Sequence, residues 1–213
     1  MLIDESINFH DAGFGKCFLE WAVPKLGMEP IRRAALVKAT IAEVGQAGSL
    51  DVTVAQIARR AGMSSALAHH YFGAKEQMFL AAMRQLLTLY GAEVRGALAV
   101  AEGPRGRING IIRASFTGSS FRQEVVSAWL NFYVLAQTVP EARRLLRVYQ
   151  RRLQSNLACE LRTLVGDRAT GIAEGIGAMI DGVYIREALS GRAPDGWAAS
   201  VLVMNYVNAK IGE

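Results

Sequence analysis

Two groups of side chains in this sequence have the types and spacing to do chemistry, and in both cases the chemistry is recognition. The first lies in TVAQIARRAGMSSALAHHYFGAK, residues 53–75. Here the hydroxyls of Thr53, Ser64 and Ser65, the imidazoles of His69 and His70, the phenol of Tyr71 and the ammonium of Lys75 are interleaved with small residues such as Ala66. Groups of this kind, carried on a short helix, can meet phosphate oxygens and base edges. The second group is Trp129, Phe132 and Tyr133, spaced i, i+3 and i+4, with Tyr184 as a further wall and Asp181 or Glu124 as a balancing charge. Aromatic faces hold an organic cation at roughly 0.5–2 kcal/mol each. The same triple is also what an ordinary helical core carries, and spacing alone favours the core.

The first group is positioned by two short helices. Thr53 and Gln56 form a capping-box pattern that announces a helix at Val54, with Val54, Ile57, Ala58 and Ala61 on one apolar face. Gly62 supplies the left-handed residue that reverses the chain, and Ser64 is the cap of a second helix, Ser65 to about Tyr71. Leu67 and Tyr71 are expected to face inward, leaving Ser65, Ala66, His69 and His70 outward. Helix, tight turn and a short helix with a polar outer face is the pattern of a helix-turn-helix, whose second helix enters the major groove. An ordinary helical hairpin within a bundle fits the stretch equally well. Adjacent positions such as His69 and His70 point about 100° apart on a helix, and no third ligand is near, so no metal site is expected.

Of the 213 residues, 51% are hydrophobic, enough for a sizeable core. No uninterrupted apolar run reaches the ~18 residues of a membrane span, and residues 1–23 carry net −3, the wrong sign for a signal peptide. A cytoplasmic, nucleoid-associated protein with no membrane contact is therefore expected. Residues 24–75 sum to +4 and residues 76–213 also to +4, so positive charge is densest around the first group, as a phosphate-binding surface requires. Cys17 and Cys159 suggest neither a disulfide framework nor a zinc site. No nucleophile elbow, Walker motif or dinucleotide fingerprint occurs, so no catalytic residues, cofactor or enzymatic activity are expected.

The periodicity predicts an all-α chain of about nine helices: 30–47, 54–61, 65–71, 75–100, 107–116, 122–137, 141–165, 168–190 and 196–211. Gly103-Pro104-Arg105-Gly106 reads as a break between a head and a body. Ile172 to Ile185 contains only Glu174 and Asp181 as charges, and its Gly175, Gly177 and Gly182 would let another helix approach. With Ala198, Val201, Leu202 and Asn205 of the last helix, it is expected to form half of an intermolecular four-helix bundle.

Gly62-Met63-Ser64 followed by Tyr71-Phe72-Gly73-Ala74-Lys75 resembles the turn and the aromatic-Phe-x-x-Lys motif of the TetR family of bacterial repressors. VPKLGMEPIRR, RRLQSNL and MIDGVYIREALSG extend the resemblance to the choline-responsive members that control glycine betaine synthesis. It covers Val23 to about Ile211. It implies a three-helix helix-turn-helix head over residues 23–75 and a ligand-binding and dimerisation body over 76–213. It also implies a homodimer on a palindromic double-stranded operator, and choline or betaine aldehyde as effector. Within that pattern Tyr71 and Lys75 are implied phosphate clamps, and Trp129, Phe132, Tyr133, Asp181 and Tyr184 the implied ligand pocket. Residues 1–22 match nothing in the pattern, and the expectation is that Val23 marks the start and the preceding segment is an over-extended reading, with an N-terminal arm as the alternative. The sequence departs from the pattern at Ala66 (usually Gly), His69 (often Tyr or Ser) and Ala74 (usually a capping Ser, Asp or Asn), while Tyr133 and Tyr184 stand where Trp is expected. A regulator of another regulon and a nonspecific DNA-compacting protein are the remaining alternatives.

Overall fold

Apolar residues recurring every three to four positions fold into nine α-helices among the residues that the computed structural model describes, 27–118 and 120–212. They are α1 (Met28–Ala47), α2 (Val54–Arg60), α3 (Ser65–Phe72), α4 (Lys75–Val100), α5 (Gly103–Ser115), α6 (Gln123–Thr138), α7 (Pro140–Val165), α8 (Ala169–Leu189) and α9 (Gly196–Ile211). A single 3-10 turn, Gly166–Arg168, joins α7 to α8, and there is no strand among the described residues. The fold is all-α, as the periodicity predicts. The expectation about Val23 and residues 1–22 lies outside the described residues.

The first three helices close around Leu36, Val44, Ile57, Ala58 and Ala68, each with no exposed surface. Helix α2 starts where the capping box demands. Thr53 N–H donates to Gln56 Oε1 at 2.7 Å, and Gln56 N–H donates to Thr53 Oγ1 at 3.2 Å. Gly62 has φ +68°, so the reversal between α2 and α3 uses the backbone region in which only glycine is unstrained. Ser64 Oγ accepts from Leu67 N–H at 3.2 Å and caps α3. One inward contact differs from expectation. Ala68 is the fully buried residue of α3, while Leu67 and Tyr71 are half-buried. A helix of two turns crossing α2 this closely has room only for a methyl group at the point of contact.

Helix α4 runs without interruption from this three-helix unit into the rest of the chain, burying Met78, Leu80, Ala82 and Met83 completely. The expected break at residues 103–106 is instead the first turn of α5. Pro104 sits at a position whose N–H would have no intrahelical partner anyway, so the proline starts the helix rather than preventing it. Helix α1 also packs along α6. Gly45 lies so close to the first turn of α6 that a β-carbon there would meet the Glu124 backbone, with Glu124 Cα at 2.6 Å. The three-helix unit is thus joined to the remainder through two elements, α4 by covalent continuity and α6 by contact.

Candidate functional site

Ser64, Ser65, Ala66, His69 and His70 are all exposed, and they share the outer side of α3. Their positions are fixed from below by Ala68 and from the ends by local hydrogen bonds. His69 Nδ1 lies 2.7 Å from the Gly73 carbonyl oxygen, so Nδ1 carries a proton and donates it, and Nε2 of this exposed ring points away from that bond. His70 packs edge-on against Tyr71 at 5.3 Å between ring centroids. Half-buried Tyr71 is braced by α1: Arg32 donates to its hydroxyl at 3.4 Å, and the Arg33 guanidinium lies 5.7 Å from its ring centre and 5.2 Å from that of Phe72. Lys75, the first residue of α4, donates through Nζ to the Leu50 carbonyl oxygen at 3.2 Å, tying α4 to the α1–α2 connection. Ala74 gives α4 no side-chain cap, as its methyl group dictates. Of the two α2 arginines, Arg60 pairs with Glu43 of α1 at 2.5 Å, whereas Arg59 is exposed.

The second site gathers aromatic rings from four helices. Tyr90 of α4, Trp129 and Tyr133 of α6, Tyr149 of α7 and Tyr184 of α8 line a small cavity together with Ser115 and Ser120. Around Trp129, the centroids of Tyr149, Tyr133 and Tyr184 lie at 5.3, 6.1 and 6.3 Å, and Tyr90 meets Tyr149 edge-on at 5.4 Å. The cavity is about 10 Å³, room for about one water. Neither Phe132 nor Asp181 lines it. Four residues of helix turn Tyr133 to within about 40° of Trp129, but three residues turn Phe132 the other way, and it is wholly buried in the core instead.

Three of the four phenols are anchored by hydrogen bonds. Tyr133 donates to Asp181 Oδ1 at 2.8 Å, Tyr184 donates to the Ser115 carbonyl oxygen at 2.5 Å, and the Tyr90 hydroxyl lies 3.3 Å from Ser115 Oγ. Burial drives the Tyr90 phenol up to about 12 and raises those of Tyr133, Tyr149 and Tyr184 as well, so all four are neutral at physiological pH. Burial also raises the Asp181 carboxyl, against the opposing pull of hydrogen bonds from Tyr133 and Gln150. A second carboxylate, Glu93 of α4, accepts from Thr117 Oγ1 at 2.6 Å and from Ser120 Oγ at 2.7 Å, pinning the α5–α6 connection to α4 beside the rings. Glu124, weighed with Asp181 as the balancing charge, stands instead at the α1 contact. Tyr149, Glu93 and the two serines were not singled out in the sequence. A lone aromatic within RVYQRR, on an otherwise polar stretch of α7, was the one available signal.

A third feature is a face of α8 and α9. Ala178, Ile185, Leu189, Trp197, Ala198 and Leu202 are exposed, Trp197 to 77% and Leu189 to 72%. The glycines behave differently from one another. A β-carbon on Gly175 would meet the Tyr206 hydroxyl of the same chain, so that glycine serves the α8–α9 contact within the protomer, while Gly182 has open space beside it.

An exposed recognition-type helix on a three-helix unit, followed by a helical body, is the architecture of a DNA-binding protein of the helix-turn-helix class. Residues 36–82 match the family described as bacterial regulatory proteins, tetR family, and residues 104–212 match that described as BetI-type transcriptional repressor, C-terminal. The chain is 53% identical over 190 residues to the HTH-type transcriptional regulator BetI of Brucella anthropi, covering 89% of this chain and 98% of that protein. It is 51% identical over 191 residues to the regulator of the same name from Rhizobium meliloti, covering 89% and 94%. Among solved structures, a transcriptional regulator from Saccharomonospora viridis, crystallised in complex with choline, superposes with a TM-score of 0.74 at 20% identity, covering 84% of this chain and 96% of that one. A regulator from Pseudomonas aeruginosa PAO1 superposes at 0.73 with 22% identity, over 85% and 91%. The chain belongs to the BetI-type transcriptional repressors of the TetR family. It is a regulator, and the expectation that it is not an enzyme rests on that membership.

Proposed function

We propose that this repressor controls conversion of choline to glycine betaine, and that choline, or betaine aldehyde as its oxidation product, loosens it from its operator. The observation that carries this reading is the aromatic cage beside a desolvated carboxylate. Neutral phenol and indole faces attract a quaternary ammonium through their quadrupoles, and Asp181, bound to the Tyr133 hydroxyl behind the rings, supplies the opposite charge. The name shared by the relatives and the choline bound to the Saccharomonospora viridis protein support the same ligand. A trimethylammonium group has four heavy atoms and needs several times the room of the one water that the cavity admits. Binding must therefore part the rings, and the helices that carry them move with them. Tyr90 rides on α4, whose first residue is Lys75, and Trp129 and Tyr133 ride on α6, whose first turn bears on α1. Both displacements end at the three-helix unit, and a hundredfold loss of operator affinity requires only ~2.7 kcal/mol of coupling.

On the DNA side, Ser65, Ala66, His69 and His70 are assigned to base edges or nearby phosphates, and Thr53, Ser64, Tyr71 and Lys75 to the backbone. The exposed α8–α9 face is assigned to a second copy of the chain, which would present two recognition helices to a palindrome. Its run of apolar residues, bordered by Asn205 and Arg186, supports that assignment. The test is a footprint on the repressor's own upstream DNA with and without choline, paired with calorimetry of choline binding. Protection that choline relieves is expected. Absence of both heat and any change in operator affinity at millimolar choline would remove choline as effector and leave another lipophilic cation, and so another regulon, as the reading.

A further inference from the structure

The cage can gain the volume a cation needs in one direction more easily than in others. A groove of about 460 Å³ between α4 and α7 lies against it, and the two spaces share Tyr90 and Tyr149 as their common wall. That wall is a single edge-on ring pair at 5.4 Å. The groove's floor is apolar, with Leu87, Val94, Leu98 and Leu153, and its rim carries Arg95 and Arg152. Neither arginine is bound to a carboxylate among the described residues, in contrast to Arg84, Arg107 and Arg60, which pair with Glu141, Glu160 and Glu43. Arg95 is also aimed. Its Nη1 lies 3.3 Å from where a β-carbon on Gly91 would stand, so the guanidinium folds back along α4 to the residue next to Tyr90. Arg152 stands one turn beyond Tyr149 on the facing helix. Two guanidinium groups thus flank the exit of a cage built for a cation, an arrangement that suits a ligand with positive charge at one end and negative charge at the other.

Resting on the assignment of the cage to a quaternary ammonium, we infer that the α4–α7 groove is the entry to the cage and an anion subsite, and that the ligand it fits is a phosphorylated choline. The ammonium occupies the rings, the two-carbon link passes between Tyr90 and Tyr149, and the phosphoryl oxygens meet Arg95 and Arg152. Guanidinium matches phosphoryl oxygens by paired, charge-assisted hydrogen bonds. A carboxylate one methylene from the nitrogen, as in glycine betaine, reaches less far from the rings than a phosphoryl group on a two-carbon link, so the longer zwitterion is the better match. A phosphomonoester and a phosphodiester of choline share this chemistry.

The experiment is calorimetry on the full chain with choline, glycine betaine, phosphocholine and glycerophosphocholine, for the wild type and for Arg95→Gln/Arg152→Gln. The expected result is that at least one phosphorylated choline binds tenfold or more tightly than choline at low salt. The double variant should then cost that ligand at least tenfold more affinity than it costs choline. A preference for the monoester assigns the subsite to a free phosphate, and a preference for the diester to a headgroup-type ester; either supports the inference. Choline binding as tight as, or tighter than, both phosphorylated ligands overturns it while leaving the cage intact. A phosphorylated ligand whose affinity is indifferent to the double variant also overturns it, and failure of every ligand to bind overturns the cage assignment as well.

Discussion

Replacing Gly45 with alanine tests whether the pocket speaks to the DNA-binding helices through α6. Alanine in a helix interior is normally worth about 0.8–1.0 kcal/mol over glycine. Gly96, in α4, has nothing within 4 Å of its missing β-carbon. Gly96→Ala therefore sets the baseline, and in a chain of this size it should raise the melting temperature by roughly 2–4 °C. At Gly45 the added carbon would stand 2.6 Å from Glu124 Cα. Carbon atoms in contact prefer about 3.5–4.0 Å, so α1 and the start of α6 must separate by about 1 Å. The Glu124 atoms it meets are backbone, which cannot rotate away. Overpacking of this kind typically costs about 1–3 kcal/mol, which cancels or exceeds the propensity gain, so Gly45→Ala should melt at or below the wild type and clearly below Gly96→Ala. The functional assay is the ratio of operator dissociation constants with and without saturating choline. With one of two links slackened, a ratio of order 100 should fall to roughly 10 or less, both within the usual range of coupling. Equal melting temperatures for the two variants would show that the close approach does not exist in solution. A lower melting temperature with an unchanged ratio would show that α6 does not transmit.

Asp181→Asn keeps an acceptor for the Tyr133 hydroxyl but removes the charge. At ~5 Å and an effective dielectric near 20 that charge is worth ~3 kcal/mol to a cation, and about half after allowance for its partial exposure, so choline affinity should fall about tenfold. Because burial holds the folded Asp181 carboxyl above its ordinary 3.8, the folded state binds the proton more tightly than the unfolded chain, and ionisation costs stability as pH rises through that window. The Asn variant should therefore be the more stable protein at pH 7, with its advantage vanishing below pH 3.8; an advantage independent of pH would refute this. Lys75→Ala should weaken binding to every DNA sequence and lower the slope of log K against log salt by about one, and an unchanged slope would remove it as a phosphate contact. Leu202→Glu places a charge on the exposed α8–α9 face and should shift sedimentation at micromolar concentration towards the monomer; a wild-type profile would mean that this face is not the pairing surface.

Helix positions were legible because each depends on nearby residues. The capping box at Thr53 and Gln56, Gly62 at positive φ and Ser64 as a cap are local devices, and each appears where the sequence places it. What was not legible depends on neighbours distant in the chain. Pro104 reads as a breaker until it is known to fall in a first turn. Gly175 reads as room for a second chain, but Tyr206, 31 positions on, fills that room. Trp129, Phe132 and Tyr133 look equivalent by spacing, yet α6 is buried on more than one side, so the triple divides between core and cage. Tyr149 could not be joined to Tyr90 without knowing that α7 crosses α4.

The position of α8 determines which way the cage can yield. Its inner side carries Tyr184 into the cage and Asp181 to the Tyr133 hydroxyl behind it, while its outer side carries Ala178, Ile185 and Leu189 on the exposed face. In the proposed dimer that outer side is clamped by the partner, and the α8 wall of the cage becomes fixed. Tyr184 is held further by its bond to the Ser115 carbonyl oxygen. Expansion must then fall on α4, α6 and α7, and the first two are the elements that reach the DNA-binding unit. Pairing would thus do more than set the spacing of two recognition helices, because a rigid floor converts ring displacement into head displacement. A monomeric Leu202→Glu variant that still binds choline should therefore lose coupling per bound ligand as well as operator avidity. Coupling retained in a single-head assay on half-operator DNA would show instead that α8 is held by its own protomer, through α7 and α9, without help from a partner.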